Sequence, residues 1–496
     1  MSWVGSTSLS SGAMDPPITI SRMPRAMEAA PAMRVHLAAP CMVSDRSAPS
    51  RRYRRTCWAS LKVRCHRSSP MEGPPLDPED LLGPEGEDWR VPVNELAARQ
   101  NELARRLRDA GLPGLLVQHP IDLYYYAGGR QNGALFIPAA GAGGSVEAGG
   151  NGPVGYVRRS LRRAVHEAGG DDAPHEITAF PSLRHLSDVL HERGVTEAPA
   201  LQRGEVPASF ADRFAKALSA LGPSGDGTAV VHAQRESKSA WEIACMEEAA
   251  GVQIRMFEAV EAVGGEGVSE LDLVAAAEAV SRSEGFAGQV EMRRYPLQCD
   301  RAVVVSGRSG GVSSFFDSAV GGVGPHPLSG MGAGFAKIKP HDPVLVDLVH
   351  LHRGYVVDMT RMFVAGSMPK VWEERLEDMV AVKEVVVDVL DRGEDCSRAW
   401  EEGLALATEL GHADHLMGMA PDQSRFLGHS VGLQLDEAPV VAKGFDRPMP
   451  LGGTMAIEPK VVHQEGCIGS EDTWTRDEDG LRPLTAGGAW PWVTTW

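Results

Sequence analysis

Apolar positions along this chain follow two rhythms, and the switches between them lay out its elements. In NELAARQNELARRLRDAGLP, Leu96, Leu103 and Leu107 share one helical face, and Gly111 and Pro113 end the run. GLLVQ (114–118) reads as a buried strand and is followed by DLYYYAGG and GALFIPA; GYVRRSLRRAVHEAG (155–169) restores a strand and a helix. This alternation predicts a small α/β domain over residues 89–235. The Gly-rich GAGGSVEAGGNGP (141–153) predicts a hairpin or loop, since it lacks the strand and helix context of a phosphate cradle. PSGDG (223–227) and a predicted short strand, AVVHA (229–233), place a boundary near residues 225–237, ahead of a long helix.

Beyond that boundary the pattern changes. Ser269 and Asp272 predict a capped helix over 270–284, closed by Gly285, and two more amphipathic helices are predicted over 371–391 and 397–410. VLVDLV (344–349) and GYVVDMTRMFV (354–364) predict two antiparallel strands joined near His350–Arg353. Residues 236–496 therefore read as an α+β domain of helices and antiparallel strands. Residues 1–88 show no sustained periodicity and read as an extension outside any domain.

Charge sharpens this division. Residues 1–70 hold 11 Lys/Arg against three acids, a surplus of +8, so the remainder carries −25 of the net −17. An acidic body excludes the cationic surface that nucleic-acid binding requires. The basic RRYRRTCWASLKVRCHR (51–67) has the composition of a transit segment or nucleic-acid arm. The favoured reading is a disordered extension, or translation from a start placed upstream of Met71. No clean apolar stretch follows a basic start, which argues against a secretory signal. Seven cysteines show no paired spacing and indicate a reducing, cytoplasmic setting. No apolar run reaches the roughly 18 residues of a membrane span.

The chemistry lies in five residues. Asp347, Asp358, His429, Glu458 and Glu471 each sit inside a short apolar, strand-like run, where a charge is costly unless it is paired. Carboxylates on adjacent strands repel, and a bound cation turns that repulsion into a site. Oxygen-rich ligation with one imidazole suits manganese first, with cobalt, iron or zinc as alternatives, and four carboxylates carry enough charge for two divalent ions.

The segments VDLVHLHRGYVVDMTRMFVAG (346–366), FLGHSVGLQLDEAP (426–439), MAIEPK (455–460) and EDTW (471–474) resemble the successive signatures of the M24 metallopeptidases. These include methionine aminopeptidase, Xaa-Pro aminopeptidase and prolidase. Residues 95–129 and 236–250 are similar to the start of the N-terminal domain and the opening catalytic helix of the prolidase and creatinase branch. The resemblance implies a pita-bread catalytic domain behind a smaller α/β domain, and a homodimer. It also implies a dinuclear centre that hydrolyses the bond between an N-terminal residue and proline in small peptides. Asp347 would then bind one ion, His429 and Glu458 the other, and Asp358 and Glu471 would bridge them. Glu458 would also carry the proton from water to the leaving amine. His326 is a candidate imidazole near the substrate amine.

Two positions depart from the family pattern. Asp436 stands where the family usually has a His that contacts the substrate carbonyl, and Gly469 stands where it usually has an Arg. These departures keep alive a metal-dependent lyase acting on a small zwitterion. A non-catalytic binding module is the third reading, and retention of all five ligands counts against it. Arg293 and Arg294 are candidates for the missing cation, and Arg361 for bracing the carboxylates.

Overall fold

The computed structural model describes residues 76–496 apart from 78, 142–151, 295–297, 300–301 and 486–489. The basic 51–67 segment, most of the 1–88 extension and nearly all of the Gly-rich 141–153 stretch lie outside the described residues. Residues 79–89 close through a Leu82–Asp88 bridge and seat Trp89 against His352, with ring centroids 5.2 Å apart. Among the described residues, no helix is long and apolar enough to cross a membrane.

The first sheet runs β1 (Gly114–Val117), β2 (Gly133–Pro138), β3 (Val154–Val157), β4 (Glu176–Ala179), antiparallel until the parallel β3–β4 step. Six helices go with it: α1 (Val93–Asp109), α2 (Pro120–Ala127), α3 (Leu161–Glu167), α4 (Leu186–Glu192), α5 (Ala208–Leu218) and α6 (Thr228–Arg235). Alternation along β1 explains the layering. Leu115 and Val117 share a core with Leu103 and Leu107 of α1, whereas Leu116 joins Leu186, Leu190 and Phe214 of α4 and α5.

Residues 229–233, expected as a strand, lie inside α6. The Asp226 carboxylate accepts the Thr228 N–H at 3.0 Å and opens the helix. Val231, Gln234 and Arg235 are buried at helical spacing, so tertiary burial overrides the β preference of the two valines. Arg235 donates to Asp122 of α2 at 2.8 Å and also to Glu437, far along the chain.

Among the described residues, 240–496 build two larger sheets, each backed by a helix pair, and two short two-stranded ribbons. α7 (Ala240–Val263) and α8 (Glu270–Ser283) open with capping boxes, Ser239 with Glu242 and Ser269 with Asp272, the second as expected. After a short hairpin of β5 (Val290–Glu291) and β6 (Gln298–Cys299), strands β7 (Ala302–Ser306), β8 (Val344–His352) and β9 (Tyr355–Val364) pair antiparallel. α9 (Lys370–Asp391) and α10 (Cys396–Glu409) follow. Next come β10 (Phe426–Ser430), β11 (Glu437–Ala442), β12 (Thr454–Ile457), β13 (Lys460–His463), β14 (Gly466–Gly469), β15 (Asp472–Asp477) and β16 (Gly480–Pro483). These form a sheet of order β11-β10-β12-β15-β16 and a separate β13–β14 ribbon; β17 (Val493–Thr495) returns to pair parallel with β9. The fold is α+β.

Strand periodicity decides which way the acids point. Val344, Val346 and Leu348 of β8, with Met359 and Phe363 of β9, share a core with α7 and α8. Leu345, Met362 and Val364 instead join the core around α9, α10 and β12. Asp347 and Asp358 share the parity of the second set and so face the second half.

Candidate metal centre

The β8–β9 hairpin is tighter than the sequence suggests. Pairing runs to His352–Tyr355, leaving Arg353 and Gly354 as the turn, with φ of +49° and +91°. Asp347 therefore pairs with Thr360, and Asp358 with Val349. The two carboxylates sit diagonally on the ladder rather than face to face, a spacing of roughly 7–8 Å between such positions.

The other three expected ligands arrive from the opposite sheet. His429 lies on β10 against Ala456 of β12. Glu458 follows β12 directly, and its N–H donates to the Leu427 carbonyl at 2.9 Å. Glu471 precedes β15 and bridges backbone to backbone with Thr360 of β9, so the two sheets meet at the site. Thr360 Oγ1 donates to Glu471 Oε2 at 2.8 Å. Asp347, Asp358, His429 and Glu458 line one cleft of about 330 Å³. Phe316, Met331, Leu435, Val440 and Phe445 give it apolar walls, and Arg293, Arg294, Arg425 and Asp436 also line it.

The electrostatics show what the acids lack. Burial first, then the charges of Glu471 and Asp347, hold the Asp358 carboxyl well above the usual carboxylate range. Glu471 is raised by burial, which outweighs the pull of Lys460. Glu458 goes the other way: burial would raise it, but Lys460 and a His429 contact at 3.3 Å hold it down. Burial would lower His429, but Glu458 outweighs it and pushes the imidazole up to about 9. Asp358 Oδ1 and Glu471 Oε1 are buried without a hydrogen-bond partner. One ligand atom each from Asp358, His429 and Glu471 lies within 4.8 Å of the others. Two orphaned carboxylate oxygens beside an imidazole form a donor set that fits a divalent ion.

Around the ligands is a brace. Arg361, 1% exposed, donates through Nη1 to the carbonyls of Thr360 at 2.8 Å and Glu471 at 2.9 Å, and through Nη2 to Asp472 at 2.8 Å. Lys383 holds the other Asp472 oxygen at 2.7 Å. Both cations pack on the Trp492 ring, at 4.2 and 3.8 Å from its centroid. Arg361 thus fixes the backbone carrying Glu471, and none of these hydrogen bonds reaches Asp347 or Asp358.

The remaining expected residues are placed differently. His326 is exposed on a tight turn with Ser329 and does not line the cleft; the Gly/Pro tract carries it out to solvent. Asp436 lines the cleft, but its carboxylate accepts the backbone N–H groups of Arg293 and Arg294. It therefore positions that segment. Gly469 pairs across the β13–β14 ribbon with Lys460, a residue that sequence reasoning missed. Lys460 is fully buried, and its Nζ stands 2.6 Å from Glu458 Oε2 and 2.7 Å from Glu471 Oε2. The available signal was its spacing, two residues beyond Glu458 and directly before the apolar pair Val461 and Val462.

Comparison with known proteins agrees with this geometry. Residues 244–477 match metallopeptidase family M24. The chain is 26% identical over 156 residues to a Xaa-Pro dipeptidase of Lactobacillus delbrueckii subsp. lactis, covering 31% of this chain and 40% of that protein. It is 27% identical over 150 residues to the Xaa-Pro dipeptidase of Pyrococcus furiosus, covering 30% and 41%. The matched stretch is thus well under half the length of these curated relatives. The fold is shared more widely. A Xaa-Pro dipeptidase from Bacillus anthracis superposes with a TM-score of 0.65 at 20% identity, over 81% of this chain and 100% of that one. An X-Pro aminopeptidase from Thermotoga maritima does so with a TM-score of 0.63 at 17% identity, over 79% and 100%. Residues 244–477, a little under half of the chain, thus match metallopeptidase family M24, and they include all five expected ligands.

Proposed function

We propose that the chain is a metal-dependent peptidase that cleaves small peptides at the bond between an N-terminal residue and proline. The observation that carries this reading is the convergence of Asp347, Asp358, His429 and Glu458 on one cleft with apolar walls and an arginine-bearing rim. Its volume of about 330 Å³ suits a di- or tripeptide. A divalent ion held there would polarise the scissile carbonyl and acidify water, manganese being the first candidate. Glu458, kept anionic by Lys460 and His429, accepts the proton of the attacking water and returns it to the leaving nitrogen. Arg293, Arg294 and Arg425 offer charge to a substrate carboxylate. The apolar walls exclude water from the peptide side chains.

The N-terminal α/β part, residues 89–235, and the α+β part from 236 are read as two domains tied by Arg235. The buried free thiols of Cys245, Cys396 and Cys467 support a cytoplasmic setting. A homodimer belongs to the same reading, and sedimentation would test it. The lyase reading draws on Asp436, which cannot stabilise an oxyanion while it accepts two backbone N–H groups. Hydrolysis of Ala-Pro and Gly-Pro by the metal-loaded protein, run beside small betaine-like substrates, separates the two. Asp358→Ala is the control, and unchanged turnover in that variant sinks the mechanism.

A further inference from the structure

The acidic centre contains a cation of its own. Lys460 Nζ reaches three of the five ligands: Glu458 Oε2 at 2.6 Å, Glu471 Oε2 at 2.7 Å and Asp347 Oδ2 at 3.5 Å. An ammonium donates three hydrogen bonds, and three carboxylates surround this one. Among the oxygens it does not touch are the two orphaned ones, Asp358 Oδ1 and Glu471 Oε1, whose residues cluster with His429. The lone pairs of the centre are thus divided between a filled cation position and an open one.

We propose that the Lys460 ammonium fills one of the two cation positions, so that the centre takes a single divalent ion, at Asp358, His429 and Glu471. This rests on the metal-centre reading above and fixes its stoichiometry. Charge points the same way. Four carboxylates carry −4, the ammonium returns +1, and one divalent ion leaves −1. A second ion would overshoot to +1 and would compete for oxygens already hydrogen-bonded to Nζ.

The strand pair is also shaped around the lysine. At Gly469, its cross-strand neighbour, a Cβ would lie 2.5 Å from Lys460 Cγ and 2.6 Å from the Pro459 carbonyl. The lysine stem occupies the space that any side chain at 469 would need. Lysine and glycine therefore form one device, a built-in cation and the gap that admits it.

The test is metal stoichiometry. Metal-stripped full chain is loaded with Mn²⁺, desalted and analysed for bound metal, with electron paramagnetic resonance on the same samples. Wild type should hold one Mn²⁺ per chain with the six-line spectrum of an isolated ion, and Lys460→Gly should hold two, magnetically coupled. Lys460→Ala carries the same expectation should the glycine variant not fold. Two ions in wild type overturn the lysine assignment and leave the peptidase reading standing. One ion in both wild type and the folded variants overturns it as well, because the lysine would not then be what excludes the second. No ion in any form overturns the metal-centre reading itself.

Discussion

The carboxylate of Asp436 accepts the backbone N–H of Arg294 at 3.0 Å, joining the loop after β10 to the segment after β5 at the wall of the cleft. A carboxylate holding two N–H groups is a positioning device. Asp436→Ala should release Arg293 and Arg294 and raise KM for dipeptides about tenfold, the cost of one charge-assisted hydrogen bond, with a smaller change in kcat. Asp436→Asn keeps an acceptor and should recover part of the loss. Steady-state kinetics on Ala-Pro decide this, and a pure kcat defect would instead place Asp436 in the chemical step.

Asp358 should separate stability from activity. Its folded carboxyl is held well above the ordinary range, so the metal-free folded state binds a proton that the unfolded chain releases. The associated stability is therefore full below the unfolded pKa of about 4 and is lost as pH rises towards the folded value. Asp358→Asn should melt higher than wild type in chelator at alkaline pH, by a few degrees. It should also lose the stabilisation wild type gains from Mn²⁺, together with turnover. Differential scanning calorimetry with and without Mn²⁺ measures both.

Arg235 is fully committed, with Asp122 on one side and Glu437 on the other, all three buried. Both carboxylates sit at about 2, burial being outweighed by the arginine together with His119 at Asp122 and Lys238 at Glu437. Arg235→Met would remove the guanidinium shared by both acids, leaving Glu437 with Lys238 and Asp122 with His119 and Gln202, and should cost about 3 kcal/mol. Urea denaturation reads that loss, and a change below 1 kcal/mol would contradict the assigned role.

Two buried histidines set an acid limit. Burial lowers His175 and His350 to about 4; His175 contacts Gln100 at 3.1 Å and His350 contacts Ser281 at 2.9 Å. With folded values below the ordinary 6.5, the unfolded state takes up protons first. Stability is therefore present above about pH 6.5 and falls as pH drops towards 4, by up to roughly 3 kcal/mol for each histidine. Replacing His175 by Gln should flatten the pH dependence of the urea midpoint over that interval.

His326 supplies a negative control. Because it is exposed and outside the cleft, His326→Ala should leave kcat/KM within about twofold of wild type, measured on the same dipeptides.

The sequence spoke most clearly where one local rule acted alone. The Ser269–Asp272 cap, the helices near 371–391 and 397–410 and the paired strands around Asp347 and Asp358 all follow from short-range chemistry that tertiary contacts reinforce. α6 was illegible because Val230 and Val231 favour a strand, while the burial of Val231, Gln234 and Arg235 that selects a helix depends on residues about a hundred positions or more away. His326 could not be placed because loop paths depend on contacts that no pattern encodes. Lys460 was missed for a similar reason. Lysine is ordinarily an exposed residue, and only the convergence of Glu458, Glu471 and Asp347 makes burial tolerable for it.

Trp492, lying against both Arg361 and Lys383, gives the molecule an optical gauge. Two positive charges beside one indole shift its emission energy, and Arg361 grips the backbone of Glu471 as well as the ring. A displacement of Glu471 therefore alters the field felt by Trp492, and the colour of its fluorescence should follow events at the acids without any added dye.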